Sequence, residues 1–162
     1  MVKTVRTPKD SLTLMTELVL PSHTNALASV FGGQVVAWVD ICAAITAQRH
    51  CGQTAVTASI DELEFLAPIH LGQMVCLEGR INAVFGSSME IEVVVQVEDP
   101  CTRETSLCVQ ALLTFVALDN DGKVTAAPPL TLDTEEDNLR SQEANERRSL
   151  RLARRRKRRP NR

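Results

Sequence analysis

Asp40 stands inside an apolar run, with Val36, Ala37, Ala43 and Ala44 at the positions three and four residues away and no Lys, Arg or His among them. Burying an unpaired carboxylate costs several kcal/mol. Two readings of Asp40 follow. In one, it is bonded to distant backbone or side-chain donors and is architectural. In the other, it is a general base or nucleophile in a narrow apolar groove. Gly33 and Ala47, seven positions away on either side, leave space for a thin ligand on its face. Gly32-Gly33 opens the same run. The first N–H groups of a helix lack intrahelical acceptors and carry partial positive charge. With no side chains at 32 and 33, they could receive the oxyanion formed when an acyl carbonyl is attacked. Gly-Gly alone is equally an ordinary turn.

The element that must position Asp40 is a helix over roughly residues 33–50. Val35, Val36, Trp38, Val39, Ile41, Cys42, Ile45 and Ala47 fall on nearly every face, which predicts burial all round. Gly52 supplies a stop. Period-two alternation predicts strands over 55–62 (Val56, Ala58, Ile60 against Thr57, Ser59, Asp61) and over 74–84 (Val75, Leu77, Ile81, Ala83 on one face). It predicts two more over 90–97 (Ile91, Val93, Val95, Val97 inward; Glu90, Glu92, Gln96 outward) and 106–117 (Leu107, Val109, Ala111, Leu113, Phe115 on one side). Residues 12–20 offer a first strand. Short turns join the later strands, so the sheet is antiparallel with one helix against one face: an α+β domain over residues 1–132.

Charge divides the chain. Residues 1–132 carry 7 basic and 14 acidic side chains, and residues 133–162 carry 11 basic and 6 acidic, within a net charge of −2. The charged tail, 133–162, reads as a helix from about Asp133 that gives way to a disordered basic end. Specific nucleic-acid or membrane binding by that end is the less favoured reading. Aromatics are only 3% of the chain, too few for base-stacking platforms. No apolar run is long enough to span a membrane and no secretory signal is visible, so a cytoplasmic location is expected. Five cysteines without a CxxC suggest neither a disulfide framework nor a zinc site; no metal is expected. His50-Cys51 tempts as a nucleophile, but a helix C-terminus disfavours a thiolate. Trp38, away from Asp40, is read as core, and Asp61 as a strand residue capping a turn.

The stretch from Leu20 to Gly33 (LPSHTNALASVFGG) resembles the signature of the hot-dog-fold acyl-CoA thioesterases, in the branch of the cytosolic long-chain acyl-CoA hydrolases. The likeness continues through Trp38-Val39-Asp40, Arg49-His50-Cys51, residues 56–61, Phe65 to Ile69, Gly72, Ser87 to Glu90 and Thr114 to Leu118. It implies a curved antiparallel sheet wrapped around one long central helix. It further implies a homodimer as the minimal active unit, associating as a trimer of dimers. The catalytic carboxylate falls on Asp40, and the oxyanion contact on Phe31, Gly32 and Gly33. A polar residue two before the Phe, Asn or Asp in some members, is Ser29 here, and Asn25 is the candidate to share its role. Thr57, Ser59, Arg80 and the Gly86-Ser87-Ser88 turn are candidates for holding coenzyme A, which is part of the substrate; no separate cofactor is implied.

The implied activity is hydrolysis of fatty acyl-CoA to free acid and CoA. The alternative is a hot-dog acyl-CoA-binding or sensor module without turnover. A hot-dog hydratase is a weaker rival, because no Asp/His pair is evident beside the helix.

Overall fold

The structure is a computed structural model that describes residues 6–158. Strand β1 (Thr13–Leu18) precedes helix α1 (Gly32–Cys51). Four strands follow, β2 (Ala55–Phe65), β3 (Met74–Phe85), β4 (Ser88–Glu98) and β5 (Thr105–Ala117), and then helix α2 (Glu135–Arg158). All strand pairs are antiparallel, in the order β1-β3-β4-β5-β2, so β1 and β2 are the free edges. This is the α+β hot-dog arrangement: one sheet curled around α1.

Apolar alternation builds the core. Val75, Leu77 and Ile81 of β3, Ile91, Val93 and Val95 of β4, and Val109, Leu113 and Phe115 of β5 are buried against α1. From α1 the buried stripe is Val35, Trp38, Val39, Cys42, Ala43, Thr46, Ala47 and His50, the three-four spacing of a single helix face. Helix and sheet meet most closely at Gly79. A Cβ there would lie 2.4 Å from Thr46 Oγ1 and 3.3 Å from the Cys42 carbonyl oxygen. Gly52 ends α1 in the left-handed conformation at φ 69°.

Burial of α1 departs from expectation. The sequence predicts burial all round, yet Ala37 is exposed, Ile41 is 50% exposed and Asp40 is half-buried. An apolar helix with one bare face has more surface to cover than its own sheet provides.

The outer face of the sheet also differs. Glu90 points outward as expected but is 1% exposed, because α2 lies over it. Leu107 is 38% exposed rather than inward, because the β4–β5 register shifts between Val95 and Gln96. Cys108 is the extra residue there, and a bulge turns the residues beyond it to the other face. The tail is helical from Glu135 through Arg158, and residues 159–162 lie outside the described residues.

α2 docks through charge. Asp137 meets Arg80, Arg140 meets Glu92, and Arg147 meets Glu90 at 2.7 Å. Arg151 meets Asp61 at 2.6 Å, and the Arg148 guanidinium lies 4.7 Å from the centre of the Phe85 ring. Burial raises the Asp137 carboxyl, but the hydrogen bonds from Arg80 and Thr134 outweigh it, and its pKa lies below the ordinary carboxylate value.

Candidate active site

Asp40 lies in the third turn of α1, on the face the sheet does not cover. The Thr57 hydroxyl, on edge strand β2, donates to its Oδ1 at 2.7 Å. Among the described residues no donor reaches Oδ2. One oxygen is therefore fixed and the other is open, on a half-buried surface beside Ala37 and Ile41. An architectural carboxylate would have both oxygens engaged from within the fold. Thr57, a candidate for holding coenzyme A, is the hydrogen-bond partner of Asp40.

The helix start has the expected features. Phe31 caps α1 with its carbonyl, which accepts from the Gln34 and Val35 N–H groups. The Gly32 and Gly33 N–H groups have no acceptor among the described residues. A Cβ on Gly33 would meet nothing within 4 Å, and one on Gly32 would touch only the Phe65 ring at 3.4 Å. Phe31 and Phe65, at 54% and 52% exposure, border this helix end with apolar surface. Unpaired N–H groups beside an apolar border are the setting in which a carbonyl oxygen gains most from such donors.

Asn25 and Ser29 form a separate unit in the loop before α1. Asn25 Oδ1 accepts from the Leu27 N–H at 2.8 Å and the Ser29 hydroxyl at 3.1 Å, across a turn with Ala28 at φ 57°. The Ser29 hydroxyl is occupied by Asn25, while Asn25 Nδ2 has no acceptor among the described residues. Asn25 is thus the polar group left free to act, with Ser29 bracing it. His23 ties this loop to α1, its ring edge-on to Trp38 at 5.2 Å, and Trp38 is buried as expected. No hydrogen bond links the Asn25–Ser29 unit to the Asp40–Thr57 pair.

Two candidates for holding coenzyme A are committed elsewhere. Arg80 is paired with Asp137 on the outer face, where strand alternation places it and α2 covers it. Ser59 donates to Asp61 Oδ1 at 2.7 Å. The turn at Gly86, Ser87 and Ser88 joins β3 to β4, and neither serine hydroxyl has a partner among the described residues. Ser88 pairs with Val116, which pairs with Val56, so this turn lies at the Thr57 end of the sheet. Two strand spacings, about 10 Å, separate them.

Burial disfavours Cys42, Cys51 and His50 as reactive groups. Burial pushes the Cys42 thiol up to about 11 and the Cys51 thiol in the same direction. His50 is fully buried with Nε2 2.9 Å from the Pro128 carbonyl oxygen, and burial lowers its pKa. Among the described residues no group of three or more His, Cys, Asp or Glu side chains is placed to hold a metal ion. A cleft of about 280 Å³ under the end of α2 is lined by Asp61, Glu62, Arg147, Arg151 and Arg154 with two leucines. It lies on the outer face and contains no member of the Asp40 or Asn25 units.

The thioesterase superfamily profile matches residues 27–102. The chain is 41% identical over 145 residues to an uncharacterized acyl-CoA thioester hydrolase, YkhA, of Bacillus subtilis, covering 87% of this chain and 84% of that one. This chain belongs to the thioesterase superfamily. It is also 40% identical over 138 residues to acyl-coenzyme A thioesterase 11 of Mus musculus, but spans only 23% of that protein's length. Among superfamily structures, the acyl-CoA hydrolase of Staphylococcus aureus, in complex with butyryl coenzyme A, coenzyme A and coenzyme A disulfide, superposes with a TM-score of 0.87. It is 33% identical, covering 93% of this chain and 92% of that one. An apo-hexameric acyl-CoA thioesterase gives a TM-score of 0.88 at 37% identity, covering 93% and 96%.

Structures of the Staphylococcus aureus enzyme include variants with one asparagine, one aspartate or one threonine changed to alanine. Those three residues have the same spacing along that chain as Asn25, Asp40 and Thr57 have along this one.

Sequence reading missed the Thr57–Asp40 bond and the Asp61 contacts. Both depend on irregular register in β2, which residue types do not announce.

Proposed function

We propose that this chain hydrolyses acyl-CoA thioesters to a carboxylic acid and CoA, with Asp40 as the reactive carboxylate. The observation that carries this reading is the asymmetry of Asp40: Oδ1 is held by Thr57 and Oδ2 is open on an apolar face. Oriented in this way, Asp40 takes a proton from a water whose oxygen attacks the thioester carbonyl carbon, or attacks that carbon itself. The carbonyl oxygen becomes an oxyanion received by the free N–H groups at Gly32 and Gly33. The C–S bond then breaks; in the water route the proton held by Asp40 goes to the leaving thiolate, and in the direct-attack route the attacking water of the second step supplies it. In the direct-attack route, water afterwards cleaves the acyl–Asp40 anhydride. The only coenzyme in this chemistry enters with the substrate, and no metal is called on.

The minimal unit of this reading is a homodimer. About 10 Å of helix rise separates Gly33 from Asp40 at 1.5 Å per residue, near the limit for one carbonyl and one water to bridge. A second copy that brings its own helix start and its Asn25 toward Asp40 closes that gap. The bare α1 face at Ala37 and Ile41 and the free β2 edge, with Val56 and Ile60 more than 40% exposed, are surfaces such a copy would cover. The hexameric relatives favour three such dimers together. Phe31, Ser87 and Ser88 remain the candidates for contacting the substrate. A fatty acyl group suits the apolar rim, and five free thiols suit a reducing cytoplasm.

Thiol release from butyryl- and palmitoyl-CoA by the purified chain tests the reading. Release well above background at either length is expected. Tight binding of both without release would make this chain a binding or sensor module.

A further inference from the structure

We propose that Arg151 of α2 and Asp61 of β2 are positioning residues that aim Thr57 at Asp40, an inference that rests on the hydrolytic reading above. β2 is an edge strand, bonded to β5 alone within the sheet. Its register with β5 shifts twice, between Thr57 and Ser59 and between Ile60 and Glu62. Ala58 and Asp61 are the extra residues, with no Cα partner on β5. In a regular strand Thr57 and Asp61, four residues apart, would face the same side. Here Thr57 donates to Asp40 on α1, and Asp61 accepts from Arg151 on α2, on the opposite side of the sheet. The bulge at Ala58 makes this reversal, and Asp61 is itself the extra residue of the second bulge.

The Asp61 carboxylate holds the bulged segment in place. Oδ1 accepts from the Ser59 hydroxyl at 2.7 Å, and Oδ2 from the Thr114 hydroxyl of β5 at 2.5 Å and from Arg151 Nη1 at 2.6 Å. Ser59 and Thr114 are register partners, so the carboxylate spans the first regular rung after Ala58 and fastens it to α2. A slip of one residue in this edge strand would turn Thr57 away from Asp40. Arg151 opposes that slip from the far side of the sheet, and α2 thereby reaches the reacting carboxylate through β2.

The test is steady-state thiol release from acyl-CoA by the full chain, comparing wild type with Arg151→Ala, Arg151→Lys, Asp61→Asn, Thr57→Val and the Thr57→Val/Arg151→Ala double variant. Misplacing a reacting group by about 1 Å costs up to ~10²-fold in rate. Arg151→Ala should lower kcat about tenfold with KM changed less than about twofold, and Arg151→Lys should recover part of the loss. Because Arg151 acts through Thr57, the double variant should be no slower than Thr57→Val alone. A purely structural role predicts losses that multiply. If Arg151→Ala fails to fold, Asp61→Asn and Arg151→Lys carry the same expectations. An active wild type with wild-type kcat in Arg151→Ala, or multiplying losses, overturns this inference alone. A wild type that releases no thiol overturns the hydrolytic reading and this inference with it.

Discussion

α1 and α2 lie on opposite faces of one sheet and use the same spacing to do it. α1 presents Val35, Trp38, Val39, Cys42, Ala43, Thr46 and Ala47, while α2 presents Asp137, Arg140, Ser141, Ala144, Arg147, Arg148 and Arg151. Both are three-four stripes of a helix, so the geometry of docking is shared and the chemistry is not. α1 is fixed by removing apolar surface from water, which salt barely touches. α2 is fixed by arginine–carboxylate pairs on a strand face carrying Glu90, Glu92 and Asp61. Its docking should therefore answer to conditions that leave α1 in place.

The largest stability effect should come from breaking the α1 side. Gly79→Ala places a methyl group against Thr46 and the Cys42 carbonyl, where the backbone must move. Overpacking of this kind costs about 1–3 kcal/mol. Urea unfolding followed by circular dichroism should show one cooperative transition at a lower midpoint, with α1 and the sheet lost together.

On the α2 side, Arg147→Ala leaves Glu90 buried without its cation. In a sealed core that costs about 3–5 kcal/mol, but α2 can lift and let Glu90 hydrate, so the loss should be smaller and local. Limited proteolysis within residues 135–158 should speed up while the unfolding midpoint of the sheet moves little. Raising salt on the wild type should act in the same direction.

Acid should separate the two helices further. His50, at the end of α1, has a folded pKa below its ordinary value because of burial, so the unfolded chain binds its proton more readily. Its stabilising contribution is complete above about pH 6.5 and is lost as pH falls toward the folded value. Asp137, at the start of α2, has a depressed carboxyl. Its contribution is complete above about pH 4 and is lost as pH falls through its folded value. Unfolding at pH 7 and 5.5 should show the first loss, and proteolysis of α2 near pH 3.5 the second.

The smallest stability effect should be at Gly33→Ala, where the new methyl meets no atom. Melting should hold or rise slightly. Turnover should drop roughly three- to tenfold if a carbonyl must approach that N–H group closely.

The contrast also explains what was legible. Hydrophobic periodicity located α1 and four strands within a few residues, because each had a core to face. It could not foresee that α1 keeps Asp40, Ala37 and Ile41 uncovered, since an apolar residue awaiting another chain looks like one awaiting its own sheet. The α2 stripe is written in charge, and only its match to Glu90, Glu92 and Asp61 across the fold reveals it as an interface. The intramolecular partners of Thr57, Ser59 and Arg80 are not legible in the sequence, because bulges in β2 and a covering helix decide where those side chains go. Asp40, Gly32 and Gly33 were legible because their types conflict with, or open, the helix that holds them.

Asp40 either reacts or merely shapes its surroundings. The most direct measurement is single-turnover thiol release, alongside equilibrium binding of acyl-CoA, for wild type and Asp40→Asn. Asparagine keeps the shape and the Thr57 contact but cannot serve as the base. The expected result is a rate loss on the order of 10²-fold or more with binding and melting unchanged. A variant that releases thiol within a few-fold of wild type would contradict the assignment.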